Sequence, residues 1–389
     1  MGSYMHMGHH TENLVGEEGL EDYTGVILSP VNREPTDLPR DVDQFRDAGA
    51  ASVLLDPQLY VPRSERGYLP QYPYFPTDFD SADLASKKWW TSVINALTDY
   101  AKRLGVDAIA SPAILPRSWD EDYYSLCSEL AKLSTTGIGD NGVLVWQTVM
   151  LNLSDMGSAN RPQRVTSVVS RGNPVGYYVV VVCDVEPRRE LADYQGLAGV
   201  LYTIHLLEST GAPVLVAYSS SDMLLYKAAG ATHCATGKFF NLRRFTRSRF
   251  DEPSEGGGQL AYWFEHSLLA FLREGDILLL RRRGRSDLLG NGHSSNIWAK
   301  RILGAVTGEE REAWVALGWR HYLCWFCRTE RDVKDNPTII DRWLSDAEKA
   351  WVELQDQDIL FADPRNNGSW LRPWRQSISE YRHLIGTSL

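Results

Sequence analysis

Eight short apolar runs punctuate the first 280 residues: GVILS (Gly25 to Ser29), SVLLD (Ser52 to Asp56), DAIAS (Asp107 to Ser111), VLVWQTV (Val143 to Val149), YYVVVVCD (Tyr177 to Asp184), PVLVAYS (Pro213 to Ser219), THCAT (Thr232 to Thr236) and DILLL (Asp276 to Leu280). A stretch with apolar residues at helical spacing follows almost every one. Strands that alternate with helices pair in parallel, and the unbroken apolar character of VVVV and LLL requires cover on both faces. Eight such units predict a closed (β/α)8 barrel of the TIM type. The reading divides the chain into a flexible N-terminal segment (1–24), the barrel (25–285) and a helical C-terminal extension packed on it (286–389).

The intervening helices have recognisable ends. Residues 86–104 place Trp89, Trp90, Val93, Ile94, Leu97, Tyr100, Ala101 and Leu104 at helical spacing and stop at Gly105, a residue suited to a left-handed C-terminal turn. Ser118 is the expected N-cap of a helix over 119–133, since its hydroxyl can accept an early backbone N–H. Further helices are expected over 41–49, 190–210, 220–229 and 260–273, and in the extension over 297–305, 309–330, 340–354 and 374–385. Two stretches break the pattern. Residues 57–85 are rich in proline and tyrosine, and a connection that long is usually functional when its aromatic content argues against disorder. They are expected to form an ordered lid over the barrel mouth. Residues 251–259 (DEPSEGGGQ) read as a flexible spacer.

At 389 residues and 43% apolar composition the chain can fill a barrel core. No run approaches the length of a membrane span, and residues 1–24 lack the apolar centre of a signal peptide, so a cytoplasmic protein with no membrane partner is expected. MGSYMHMGHH reads in part as an expression remnant, and His9 and His10 are not counted as ligands. The five cysteines form no secreted disulfide pattern. The net charge of −10 opposes non-specific attraction to nucleic acid, but Lys238 to Arg301 carries 12 Lys and Arg against 7 Asp and Glu. Lys238, Arg243, Arg244, Arg247 and Arg249 follow the seventh run, and Arg281, Arg282, Arg283 and Arg285 follow the eighth. In such a barrel both groups belong to the C-terminal rim, where phosphate is often held.

Chemistry is sought at the C-terminal ends of the runs. Asp56, Gln58 and Tyr60 follow the second, Gln147 and Asn152 the fourth, Asp184 and Glu186 the fifth, and Tyr218, Ser219 and Asp222 the sixth. Two carboxylates at one mouth can divide acid and base roles when burial separates their pKa values. A conventional two-carboxylate glycosidase is disfavoured, because the WQTVMLN and CATGK run ends carry no acid. A catalytic metal is disfavoured too. The single CxxC at Cys324 and Cys327 lies in an aromatic helix, and neither a P-loop nor a post-strand GxGxxG occurs. No cofactor is implied.

Val214 to Phe245 (VLVAYSSSDMLLYKAAGATHCATGKFFNLRRF) resembles the late barrel segment of tRNA-guanine transglycosylases, and LLDPQLY (Leu54 to Tyr60) is similar to that family's strand-end aspartate motif. The resemblance implies that Asp56 contacts a base. The family's nucleophilic aspartate falls near Ala235 and its cysteine-rich zinc site is missing, so no nucleophile or metal site carries over. The expected activity is that of a barrel enzyme acting on a phosphate-containing ligand, either a nucleotide or a nucleic acid. It would act by hydrolysis or by glycosyl or ribosyl transfer, with Asp56, Asp184 and Glu186 as acid/base groups. Gln58, Tyr60, Gln147, Tyr218, Lys238, Arg243, Arg244, Arg281 and Arg283 are the expected ligand-binding residues. The alternative is a non-catalytic barrel that binds nucleic acid or a protein partner through its basic rim.

Overall fold

The computed structural model describes residues 2–158, 160–250, 260–309 and 312–386; the spacer expected at 251–259 lies outside them. Eight parallel strands close on themselves: β1 (Gly2–His6), β2 (Tyr23–Leu28), β3 (Ser52–Leu55), β4 (Ala108–Ala110), β5 (Leu144–Asn152), β6 (Tyr177–Cys183), β7 (Val214–Ala217) and β8 (His233–Thr236), with β1 paired to both β2 and β8. Helices α1 (Leu38–Asp47), α2 (Lys87–Leu104), α3 (Glu121–Ile138), α4 (Leu153–Met156), α5 (Arg161–Val169), α6 (Tyr194–Glu208) and α7 (Met223–Ala228) occupy the connections. The protein is a (β/α)8 barrel.

The first seven apolar runs form strands, but as the second to eighth of the barrel. The first strand is Gly2–His6, inside the segment read as flexible and partly an expression remnant. Its polar residues are buried because partners meet them: Ser3 Oγ donates to Glu330 Oε2 at 3.2 Å, and His6 Nε2 accepts the backbone N–H of Tyr218 at 3.1 Å. Gly2 admits the close approach of β2, since a Cβ there would stand 1.7 Å from Thr24 Oγ1.

DILLL is not a strand. Beyond β8 come β9 (Phe245–Thr246), the hairpin β10 (Trp263–Glu265) and β11 (Ala270–Leu272), then α8 (Glu274–Arg282), which contains it. Asp276 accepts the N–H of Arg273 at 3.0 Å and opens that helix, and Ile277 and Leu280, three apart, are its buried apolar pair. The hairpin replaces the helix expected over 260–273. The extension continues with α9 (Ala299–Thr307), α10 (Val315–Asp335), α11 (Ile339–Asp356) and α12 (Leu371–Leu384). Helix α10 packs against β1, β8 and α7, where Glu330 forms a buried ion pair with Lys227 at 2.8 Å. The extension thus helps to hold β1 in place.

Helix α2 follows its apolar periodicity, with Ser86 Oγ accepting the N–H of Trp89 and Gly105 ending it at φ 72°. Helix α3 is capped by Asp120, not Ser118, because the Asp120 carboxylate accepts the N–H of Asp122 at 3.0 Å. In the long 57–85 segment, Tyr60 turns inward to the mouth while Tyr72 and Tyr74 pack against Tyr100 on the barrel flank. Among the described residues, no helix is long and apolar enough to cross a membrane.

Candidate active site

Asp56 leaves the end of β3 and turns into the barrel, where it is 1% exposed. Its Oδ1 accepts from the backbone N–H of Gln58 at 3.0 Å and from Tyr60 Oη at 2.9 Å. Its Oδ2 accepts from Tyr218 Oη at 2.9 Å, Tyr60 Oη at 3.0 Å and Tyr178 Oη at 3.1 Å. Three phenols therefore converge on one buried carboxylate. Burial raises the Asp56 pKa, opposed in part by the Gln58 N–H and the phenols, and burial also lifts the phenols above their ordinary value.

The cluster is held under local strain. Gln58 and Tyr218 both adopt left-handed backbone, at φ 54° and 57°, a conformation that side chains other than glycine rarely take. Gln58 is locked by Val31 N–H donating to its Oε1 at 2.9 Å and by its Nε2 donating to Ser29 Oγ at 2.8 Å. His6 stacks on Tyr218 with ring centroids 4.2 Å apart. Because His6 Nε2 accepts from Tyr218 and burial keeps the ring neutral, the remaining proton sits on Nδ1, which is buried without a partner.

A short segment covers the mouth. Strand β9 pairs in parallel with the end of β6, Phe245 contacts Tyr60 and Tyr218 edge-on, and Phe250 leans on Tyr60. Arg249 lies over the Tyr218 ring and donates to Asn241 O, while its Nε has no partner. Asn241 in turn lines a cavity of about 390 Å³ bordered by Glu186, Lys238, Phe239, Tyr262 and Trp319. Lys238 donates to His10 O at 2.9 Å and sits over Phe239 and Trp319; burial lowers its pKa to about 8.

Asp56, Gln58, Tyr60 and Tyr218 are brought together, and Lys238 lines the adjoining cavity. Glu186 and Arg243 border that cavity as well, and the other expected residues lie elsewhere. Asp184 and Glu186 are exposed and pair with Arg247 and with Arg188 and Arg189, and neither contacts Asp56. Gln147 points out of the barrel, donating to Ser128 Oγ on α3 at 3.0 Å. Arg243 is spent on Gly237 O, Lys238 O and the face of Tyr322, and Arg244 on Asp222 and Glu190, each at 3.1 Å. Most of the donors of both arginines are thus taken up within the protein. Arg281 and Arg283 lie at the end of α8, where Arg283 donates to Gln357 O, because the run before them is a helix.

Sequence reading missed Tyr178 and His6. Tyr178 is the second residue of β6, yet it meets the end of β3, because strands in a barrel are tilted and staggered. Inspecting run ends alone passes over it. His6 lies in the N-terminal stretch that reads in part as an expression remnant, and the Met5 and Met7 that flank it are the apolar signal of a strand there. Among the described residues, no group of three or more His, Cys, Asp or Glu is placed to hold a metal ion.

No protein-family model matches the sequence, and no curated protein matches it. Solved structures similar to it include a 3-dehydroquinate dehydratase of Aquifex aeolicus at 8% identity, covering 61% of this chain and 90% of that one with a TM-score of 0.36. A GH18 chitinase of Pseudoalteromonas aurantia is 12% identical over 62% of this chain and 95% of its own, with a TM-score of 0.39. A sugar phosphate isomerase/epimerase of Parabacteroides distasonis is 13% identical over 66% and 89%, with a TM-score of 0.35. Similarity this low carries nothing about reaction or ligand. The resemblance to tRNA-guanine transglycosylases is supported no further than a shared barrel.

Proposed function

We propose that the chain is an enzyme that hydrolyses or transfers a glycosyl or ribosyl group of a phosphate-containing ligand, with Asp56 as its acid/base residue. The observation that supports this reading is the convergence of three phenols, from β6 and from the segments after β7 and β3, on one buried carboxylate at the C-terminal end of the barrel. Burial favours the protonated acid while the phenols favour the anion, so Asp56 can hold a proton for a leaving group or take one from an attacking water. Such a polar cluster is an expensive way to fill a barrel with no ligand in view. The unpartnered N–H groups of His6 and Arg249 offer donors to a ligand beside it. Lys238 supplies a cation in the adjoining cavity for the phosphate. Ligand reaches Asp56 when the Phe245–Phe250 segment moves aside.

The test is product release from nucleosides, nucleotides and short RNA, followed by chromatography. Asp56→Asn is expected to lower kcat by roughly 10²- to 10⁴-fold with the fold retained. Lys238→Met should raise KM for phosphorylated ligands only. No turnover of any of these ligands, or equal turnover by Asp56→Asn, refutes the reading. The closed mouth favours a second one, a barrel that binds without turnover. It predicts saturable binding of nucleic acid or a protein, with no product formed.

A further inference from the structure

A second cavity, of about 250 Å³, lies between the loop after β6, the β10–β11 hairpin and the loop before α12. Its cations are Arg188, Arg189, Arg273 and Arg365, and its acids are Glu190, Asp276 and Asp363. The acids are already engaged. Asp276 accepts the N–H groups of Arg273 and Ala362, Asp363 pairs with Arg189 at 2.8 Å, and Glu190 accepts from Ser221 and Arg244. The donors are not all engaged. Arg188 Nε and the indole Nε1 of Trp370 are buried with no hydrogen-bond partner, Arg189 Nε has only Glu186 Oε2 at 3.6 Å, and Trp370 as a whole is only 5% exposed. Arg188 Nη1 and Arg273 Nη2 also converge on Tyr262 Oη, at 2.8 and 3.4 Å.

Buried polar groups in folded proteins are almost always hydrogen-bonded, so two unpaired N–H groups, and a third held only by a long ion pair, around one cavity ask for a common acceptor. We propose that this cavity binds a phosphate group, free or carried on a small ester. A phosphate offers only acceptors and a charge matched to guanidinium groups. Its tetrahedral oxygens suit donors that arrive from separate loops better than the two coplanar oxygens of a carboxylate do. With roughly 30 Å³ per water as the yardstick, there is room for the phosphate and a small sugar. The site goes beyond the reading of Asp56, since nothing in it depends on chemistry there.

Calorimetric titration of the full chain with inorganic phosphate, ribose 5-phosphate and ribose tests it. Saturable binding is expected for the two phosphates and none for ribose. Arg188→Gln should weaken it by at least about tenfold and Trp370→Phe by several-fold, the scale of one charged and one neutral hydrogen bond. Arg188 sits on a loop with its side chain 25% exposed, so Arg188→Gln remains a usable variant if Trp370→Phe fails to fold. Tighter binding of ribose 5-phosphate assigns the site to an ester and equal binding assigns it to free phosphate, and both support the proposal. Arg188 also borders the Lys238 cavity, so Lys238→Met as well as Asp56→Asn should bind phosphate like the wild type, which separates this site from that cavity and failure here from failure of the catalytic reading. No saturable phosphate binding, or unchanged affinity in Arg188→Gln, overturns it.

Discussion

Tyr178→Phe is the cleanest probe of the Asp56 cluster. The ring is fully buried and its hydroxyl bonds to Asp56 Oδ2 at 3.1 Å, so the substitution removes one donor and leaves the packing intact. A hydrogen bond to a charged group contributes about 1.5–3 kcal/mol, and that loss is expected in urea denaturation at a pH where Asp56 is ionised. In an Asp56→Asn background the same change removes only a neutral bond, about 0.5–1.5 kcal/mol. The double-mutant cycle should therefore return a coupling of about 1 kcal/mol or more. The sign with pH follows from the raised Asp56 pKa. Asp56 prefers its proton when folded, so its contribution to stability is fully present below the unfolded carboxyl range and is lost as pH rises through the folded value. The Tyr178→Phe penalty should be largest where Asp56 is ionised and shrink toward acid pH. A penalty under about 0.5 kcal/mol, or one equal in both backgrounds, refutes the idea that the phenols bind the carboxylate anion.

Two further outcomes follow from the Arg244 cluster. Arg244→Ala leaves Asp222 and Glu190 buried without their cation and should cost about 3–5 kcal/mol in urea denaturation, where a solvated anion clamp would cost almost nothing. Burial lifts the Glu190 pKa to about 7, so its contribution to stability is full at acid pH and lost as pH rises through about 7. Glu190→Gln should flatten the fall in stability between pH 5 and 8, and an unchanged slope would contradict that assignment.

Seven of the eight barrel strands are legible as apolar runs, because a strand buried on both faces has to be apolar along its length whichever sheet it joins. Gly105 ends α2 and Asp56 ends a strand for equally local reasons. Which run is which strand was decided by tertiary contacts. Ser3 and His6 look unsuited to a barrel wall until Glu330 and the Tyr218 backbone meet them, and DILLL is apolar enough for either a strand or a helix until the hairpin before it sets its place. The same divide runs through the site. Asp56, Gln58, Tyr60 and Tyr218 sit at run ends, where position in the sequence predicts position at the mouth. Tyr178 joins them only through the stagger of the strands, and Arg243 and Arg244 leave them because buried carbonyls and carboxylates far along the chain take up their charge. Sequence determines which groups the barrel can bring to its mouth; the closure of the barrel and the pairing of its buried charges decide which of them remain for a ligand.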